Sequence, residues 1–297
     1  MPGRGRPRKN PIPAPQIQAT TPVAATVVVQ APPKNVLFFI DQTEAGIGRR
    51  DIELVEKVLD GKSGDLLYLV LQTYGGDVYS AVKIMRILQF KFKEIKVIIP
   101  DFVYSSGTIM ALGGDTLYFD VDACIGPLDK PMENPRDGSD ISSLDITNTL
   151  TNIASTIESI ATSFYGSLRV DSKIKLSKIE AAKLAYESAV NIVNPIINKI
   201  DPYFLQSGYR QTQIGLRYAV DMLASRMKRN NIKEAVDTAL DLVNKYPAHS
   251  YGIYREEAKY SLNLETENLE TLAEWGTLKV KFDTLKKSSN AIEFMVF

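Results

Sequence analysis

Two short loops carry most of the chemistry in this chain. One is Thr73-Tyr74-Gly75-Gly76, at the end of the apolar run LLYLVLQ. The other is Tyr104-Ser105-Ser106-Gly107-Thr108, just past the apolar run KVIIP. A serine hydroxyl is a poor nucleophile until a base takes its proton and donors stabilise the resulting oxyanion. Backbone N–H groups serve as those donors where the chain approaches closely, and glycine permits this because it tolerates positive φ and lacks a Cβ. Gly75-Gly76 offers such an oxyanion hole. A serine at a helix start adds unpaired N–H groups and the positive end of the helix dipole. The plainer readings are a strand-to-helix turn for the glycines and an N-cap for the serine. Phosphate binding at the glycines is not supported, because the Gly-Lys-Ser/Thr phosphate-loop pattern is absent.

The elements that must position these loops follow from apolar spacing. NVLFFID (35–41), LLYLVLQT (66–73), EIKVIIP (94–100) and DTLYFD (115–120) read as strands. Between them, DIELVEKVLDG (51–61), DVYSAVKIMRILQF (77–90) and SSGTIMALGG (105–114) read as helices. Alternating strands and helices predict an α/β fold with a parallel sheet and crossover helices on both faces. Ligands in such sheets sit beyond the carboxyl ends of the strands, where both loops lie. The second half is mostly helical, over 146–169, 177–200, 209–228, 232–246 and 254–262, with Pro195 and Pro202 read as breaks. PMENPRDGSD (131–140) reads as a surface loop.

The order of four motifs carries a family resemblance. Thr73-Tyr74-Gly75-Gly76, Tyr104-Ser105-Ser106-Gly107-Thr108, Gly113-Gly114-Asp115 and Gly126-Pro127-Leu128-Asp129 follow one another within about 65 residues. This pattern resembles the serine dehydrogenase proteinase family, which groups with Clp protease and signal peptide peptidase A inside the crotonase-like fold. The resemblance implies Ser105 as nucleophile, with Gly76 and Ser106 N–H groups as the oxyanion hole and Gly75 shaping the turn. Tyr74 stands where the family has proline, and Lys130-Pro131 where it has Pro-Gln. The base is left open between two residues. His249, the one histidine, is either a general base or a residue that positions the following helix. Lys130 follows Ser105 on a nearby loop and would need a depressed pKa through burial.

Composition narrows the remaining possibilities. One cysteine, Cys124, precludes an intrachain disulfide, and one His with one Cys offers no credible metal site. No cofactor is expected, since no dinucleotide fingerprint is present. No apolar run approaches the ~18–20 residues of a membrane span, so a cytoplasmic protein without membrane contact is expected. Residues 1–34 hold Arg4, Arg6, Arg8, Lys9 and Lys34 and no acid, amid many prolines. They read as a disordered tail, with a domain over 35–297. Arg4-Gly5-Arg6-Pro7-Arg8 resembles an AT-hook, so residues 3–9 are a candidate contact for A·T-rich DNA; a solvated basic tail is the plainer reading.

The expected function is a serine peptidase acting on peptide or protein substrates, and the resemblance implies a homo-oligomer. The alternative is an inactive Clp/crotonase-fold scaffold, associated with DNA through the tail. Acyl-CoA chemistry of the crotonase kind is a further rival, in which the glycine N–H groups would hold an enolate.

Overall fold

The computed structural model describes residues 34–128, 131–133, 138, 140–170, 175–288 and 290–296. The elements run β1 (Asn35–Asp41), α1 (Arg49–Val58), β2 (Gly64–Thr73), α2 (Val78–Lys91), β3 (Phe92–Ile99), β4 (Phe102–Val103), α3 (Ser106–Leu112) and β5 (Thr116–Phe119). Then come β6 (Cys124–Ile125), β7 (Pro131–Glu133), β8 (Asp140–Ser142), α4 (Ser143–Val170), α5 (Lys178–Ile197), α6 (Pro202–Ser225) and α7 (Ile232–Asn244). The chain closes with β9 (Ile253–Tyr254), α8 (Arg255–Tyr260), β10 (Thr266–Asn268), α9 (Trp275–Leu285) and β11 (Asn290–Val296). All described residues fall within one compact unit, 33–297.

The β-α alternation of the first half produces the expected α/β architecture. Strands β1, β2, β3, β5 and β10 are mutually parallel neighbours, and β4 and β6 continue in parallel from the carboxyl end of β2. β2 pairs with β3 over its first residues and with β4 only at Thr73–Val103. The sheet therefore forks where the Thr73-Tyr74-Gly75-Gly76 loop begins. Two antiparallel pairs depart from the all-parallel expectation: β11 lies along β1, and β9 along β6.

Strand parity sorts the core into two layers. Leu37, Phe39, Leu67, Leu69 and Leu71 face the cluster that holds Ile52, Val55, Met85 and Leu88 of α1 and α2. Val36, Phe38, Ile40, Tyr68 and Val70 face Trp275, Leu278 and Phe282 of α9. This double burial explains why β1 and β2 are apolar at consecutive positions.

Two further expectations change in the structure, over Pro195 and over 131–140, whereas Pro202 does mark a break, between α5 and α6. Pro195 does not break a helix; it sits in the last turn of α5, where it lacks the N–H for its own i→i−4 bond but only two helical residues follow it. Pro202 starts α6 at N1, behind the Asp201 side chain that accepts from Tyr203 and Phe204 N–H groups. The 131–140 stretch contributes β7 and β8, an antiparallel pair, at its two ends. Among the described residues, no helix is long and apolar enough to cross a membrane.

Candidate active site

Ser105 stands at a sharp strand-to-helix turn. β4 ends at Val103, Tyr104 donates its N–H to the Thr73 carbonyl at 2.9 Å, and α3 starts at Ser106. Ser105 adopts φ 54°, ψ −122°, one of the two positive-φ non-glycine conformations among the described residues. Such backbone strain costs about 1–3 kcal/mol in a residue with a Cβ and gathers at functional sites. Ser105 occupies the N-cap position, yet its hydroxyl makes no cap hydrogen bond. The plain capping role is therefore not what the side chain performs.

The glycine pair lies directly against this turn. Gly75 and Gly76 have φ 105° and 142°. A Cβ on Gly75 would sit 2.7 Å from Ser105 Cβ, 2.9 Å from the Tyr104 carbonyl oxygen and 3.2 Å from Ser106 N. The bend is held from the other side by Ile47, whose N–H donates to the Gly75 carbonyl at 2.7 Å and whose carbonyl accepts from Asp77 N–H at 2.8 Å. Those two bonds form a parallel bridge between Ile47 and Gly76. In that pairing Gly76's own N–H points to the opposite edge. Ser106, as first residue of α3, has an N–H with no intrahelical acceptor.

Gly76, Ser105 and Ser106 line one cleft, together with apolar residues of α2, α3 and α6, Gln211 of α6 and Leu128 after β6. Ser106 is 3% exposed, and its Oγ is buried without a hydrogen-bond partner. Tyr104 is fixed beside the cleft by its ring on Phe102 at 5.6 Å and its hydroxyl 3.4 Å from Cys124 Sγ. Burial pushes the Tyr104 hydroxyl well above its ordinary range, and the Cys124 thiol is raised by burial as well, so both stay protonated at neutral pH. Tyr74, the departure from the family proline, stacks on Phe102 at 4.5 Å and so extends the same aromatic row.

A brace behind the bend has no counterpart in the sequence analysis. Asp41, at the end of β1, accepts at Oδ1 from Thr43 N–H (3.0 Å) and Thr43 Oγ1 (2.8 Å). Thr43 Oγ1 in turn accepts from Gly46 N–H at 3.2 Å. Gly46 packs so tightly that an added Cβ would lie 2.3 Å from the Gly75 carbonyl oxygen. The segment 41–48 thus clamps the bend through Ile47. The sequence signal for it is the Asp-x-Thr turn followed by Gly46 and Gly48.

The structure brings Ser105, Gly75, Gly76 and Ser106 together. His249 lies half-buried on the turn between α7 and β9 and is not among the residues lining the cleft. Lys130 and Asp129 lie outside the described residues, as do Arg4, Arg6 and Arg8 of the tail.

Residues 51–149 match the family of ClpP-like SDH-type serine proteinases, so the resemblance carried by the four motifs holds over that stretch. The match supports a serine peptidase in general terms. A 64-residue stretch is 38% identical to an uncharacterized protein of Methanocaldococcus jannaschii, covering 22% of each chain. Among solved structures, one similar chain is a lysine-to-alanine mutant of a membrane-bound stomatin-specific protease in complex with a substrate peptide. It aligns at 14% identity and TM-score 0.38, over 74% of this chain and 66% of that one. Neither alignment spans two thirds of the other protein's length.

Proposed function

We propose that this chain is a serine peptidase with Ser105 as its nucleophile. The observation that carries this reading is the strained Ser105 turn, its hydroxyl unused as a cap, packed against the Gly75-Gly76 bend. In the proposed reaction a base takes the Ser105 proton and Oγ adds to the carbonyl carbon of a peptide bond. The oxyanion is held by the N–H groups of Gly76 and Ser106, where preorganised donors act most strongly. Collapse of the tetrahedral intermediate expels the amine, which takes the proton back. Water then hydrolyses the acyl-enzyme by the same steps.

We assign the base to Lys130 rather than His249. Leu128 lines the cleft, and Lys130 follows it by two residues. Two residues of chain reach roughly 6–7 Å. Burial beside apolar side chains would favour the neutral amine that a base requires. A fluorophosphonate probe tests the whole reading. Labelling should occur in the wild type, vanish in Ser105→Ala, fall sharply in Lys130→Met and persist in His249→Gln. A well-folded wild type that takes no label overturns it in favour of the inactive scaffold.

The peptidase is also proposed to work as a homo-oligomer. α5 buries Ala181, Ala185 and Ala189 but leaves Ile179, Tyr186, Val190 and Ile197 exposed on one side, an apolar face suited to a second copy. A monomer mass by light scattering would remove this part. Binding of A·T-rich DNA by Arg4, Arg6 and Arg8 is a separate proposal, resting on the motif alone; deletion of residues 1–12 should abolish it.

A further inference from the structure

Building on the peptidase reading, we infer that the cleft beside Ser105 is a specificity pocket for one small uncharged side chain. It takes a residue of alanine or serine size immediately before the scissile bond. Three features lead there. The first is size: the cleft holds about 30 Å³, and at about 10–15 Å³ per water-sized occupant this is room for about two non-hydrogen atoms. A methyl or hydroxymethyl group fits. A leucine, phenylalanine or lysine side chain requires Leu128 or Ile214 to move, in an interior where displacement is resisted by close packing.

The second feature is the lining. Val78, Ile109, Leu128 and Ile214 make apolar walls, Gln211 adds one uncharged amide, and the described residues on the cleft carry no charge. A charged side chain would lose its hydration there and find no counter-charge among the described lining residues. The third is Ser106 Oγ, a buried hydroxyl lacking a hydrogen-bond partner among the described groups, on a residue of the same cleft. A buried polar atom left unpaired is unfavourable, so a substrate hydroxyl that reaches it is favoured over an isosteric methyl.

The floor of the pocket comes from α6. Gly215 faces it without a side chain, and an added Cβ would meet only the Leu128 carbonyl oxygen, at 3.4 Å. The position therefore accepts a side chain sterically, and valine is a better helix former than glycine. The helical second half thus does more than cover the sheet: it sets which substrate enters.

The test uses the full chain and fluorogenic peptides that differ only in the residue before the scissile bond: Gly, Ala, Ser, Leu, Phe and Lys. Kcat/KM for Ala and Ser should exceed that for Leu by about tenfold or more, and Phe and Lys by a larger factor. Gly215→Val should lower the Ala and Ser rates towards or below that of Gly. Ile214→Ala should raise the Leu rate relative to Ala, and it carries the test if Gly215→Val does not fold. Fluorophosphonate labelling of Ser105 is followed in parallel. Equal cleavage after Ala, Phe and Lys by an enzyme that labels normally overturns the pocket and leaves the peptidase standing. Absence of both labelling and cleavage overturns the peptidase reading and the pocket with it.

Discussion

Gly75 and Ser105 come together so closely that a methyl group on Gly75 would lie 2.7 Å from Ser105 Cβ. The collision has no easy relief. The second neighbour is the Tyr104 carbonyl oxygen at 2.9 Å, a backbone atom, and the Gly75 φ of 105° is itself strained for any other residue. Gly75→Ala should therefore push the bend away from the serine and misdirect the Gly76 N–H. Loss of one oxyanion donor typically lowers kcat by about 10²–10³. The rate of fluorophosphonate labelling should fall by that order while circular dichroism stays near wild type. Labelling within threefold of wild type would show that the bend takes no part.

Ser105 itself separates a nucleophile from a cap by its effect on stability. A serine that caps a helix contributes about 1 kcal/mol, lost on change to alanine. Here the hydroxyl makes no cap bond, so Ser105→Ala should leave the Tm almost unchanged while abolishing labelling. Ser105→Gly should go further. Glycine accepts φ 54° without the roughly 1–3 kcal/mol strain, so this variant should melt higher than wild type and be inactive. A Tm drop of several degrees in Ser105→Ala would restore the capping role.

The contrast between what the sequence discloses and what it hides is physical. β1 and β2 are legible because burial on both faces forces consecutive apolar residues. The glycine pair is legible because positive φ and close approach select glycine at a fixed offset from β2, whereas Ser105 stands at its turn against its own backbone strain. β11 pairs with β1 across most of the chain, and its residues are only partly buried, so neither spacing nor composition marks it. β4 and β6 are two residues each, too short for a period to register. Pro195 misleads because α5 has only two residues left after it, so the bond it lacks weakens the final turn and does not split the helix. The brace from Asp41 to Gly75 consists of polar turn contacts, and only coordinates show that Ile47 meets the glycine bend.

That brace predicts a catalytic defect without a binding defect. Thr43→Val keeps the side-chain shape but removes the hydroxyl that links Asp41 Oδ1 to Gly46 N–H. Two hydrogen bonds of net worth about 1 kcal/mol each are lost behind the bend. The proposed substrate pocket is untouched, because Thr43 does not line the cleft. We expect kcat to fall about tenfold with KM unchanged, and Thr43→Ser to restore it. A change confined to KM, or none, would mean that the bend holds its shape without help.

Asp41 should give the fold an inverted pH response. Burial is the largest influence on its carboxyl and raises its pKa above the ordinary 3.8; Asp51 adds to the rise, and the two bonds from Thr43 oppose it. One oxygen, Oδ2, is buried without a partner. Below pH 3.8 the group is protonated in both folded and unfolded chains and imposes no penalty. As pH climbs through the raised folded value, the unfolded chain ionises more readily, so the contribution of Asp41 to stability is lost. Asp41→Asn keeps an oxygen to accept from Thr43 and cannot ionise. Its Tm relative to wild type should therefore increase as pH rises above 3.8 and level off above the folded pKa. A Tm difference that stays flat over this range would mean that the buried carboxyl ionises as easily in the fold as in the unfolded chain.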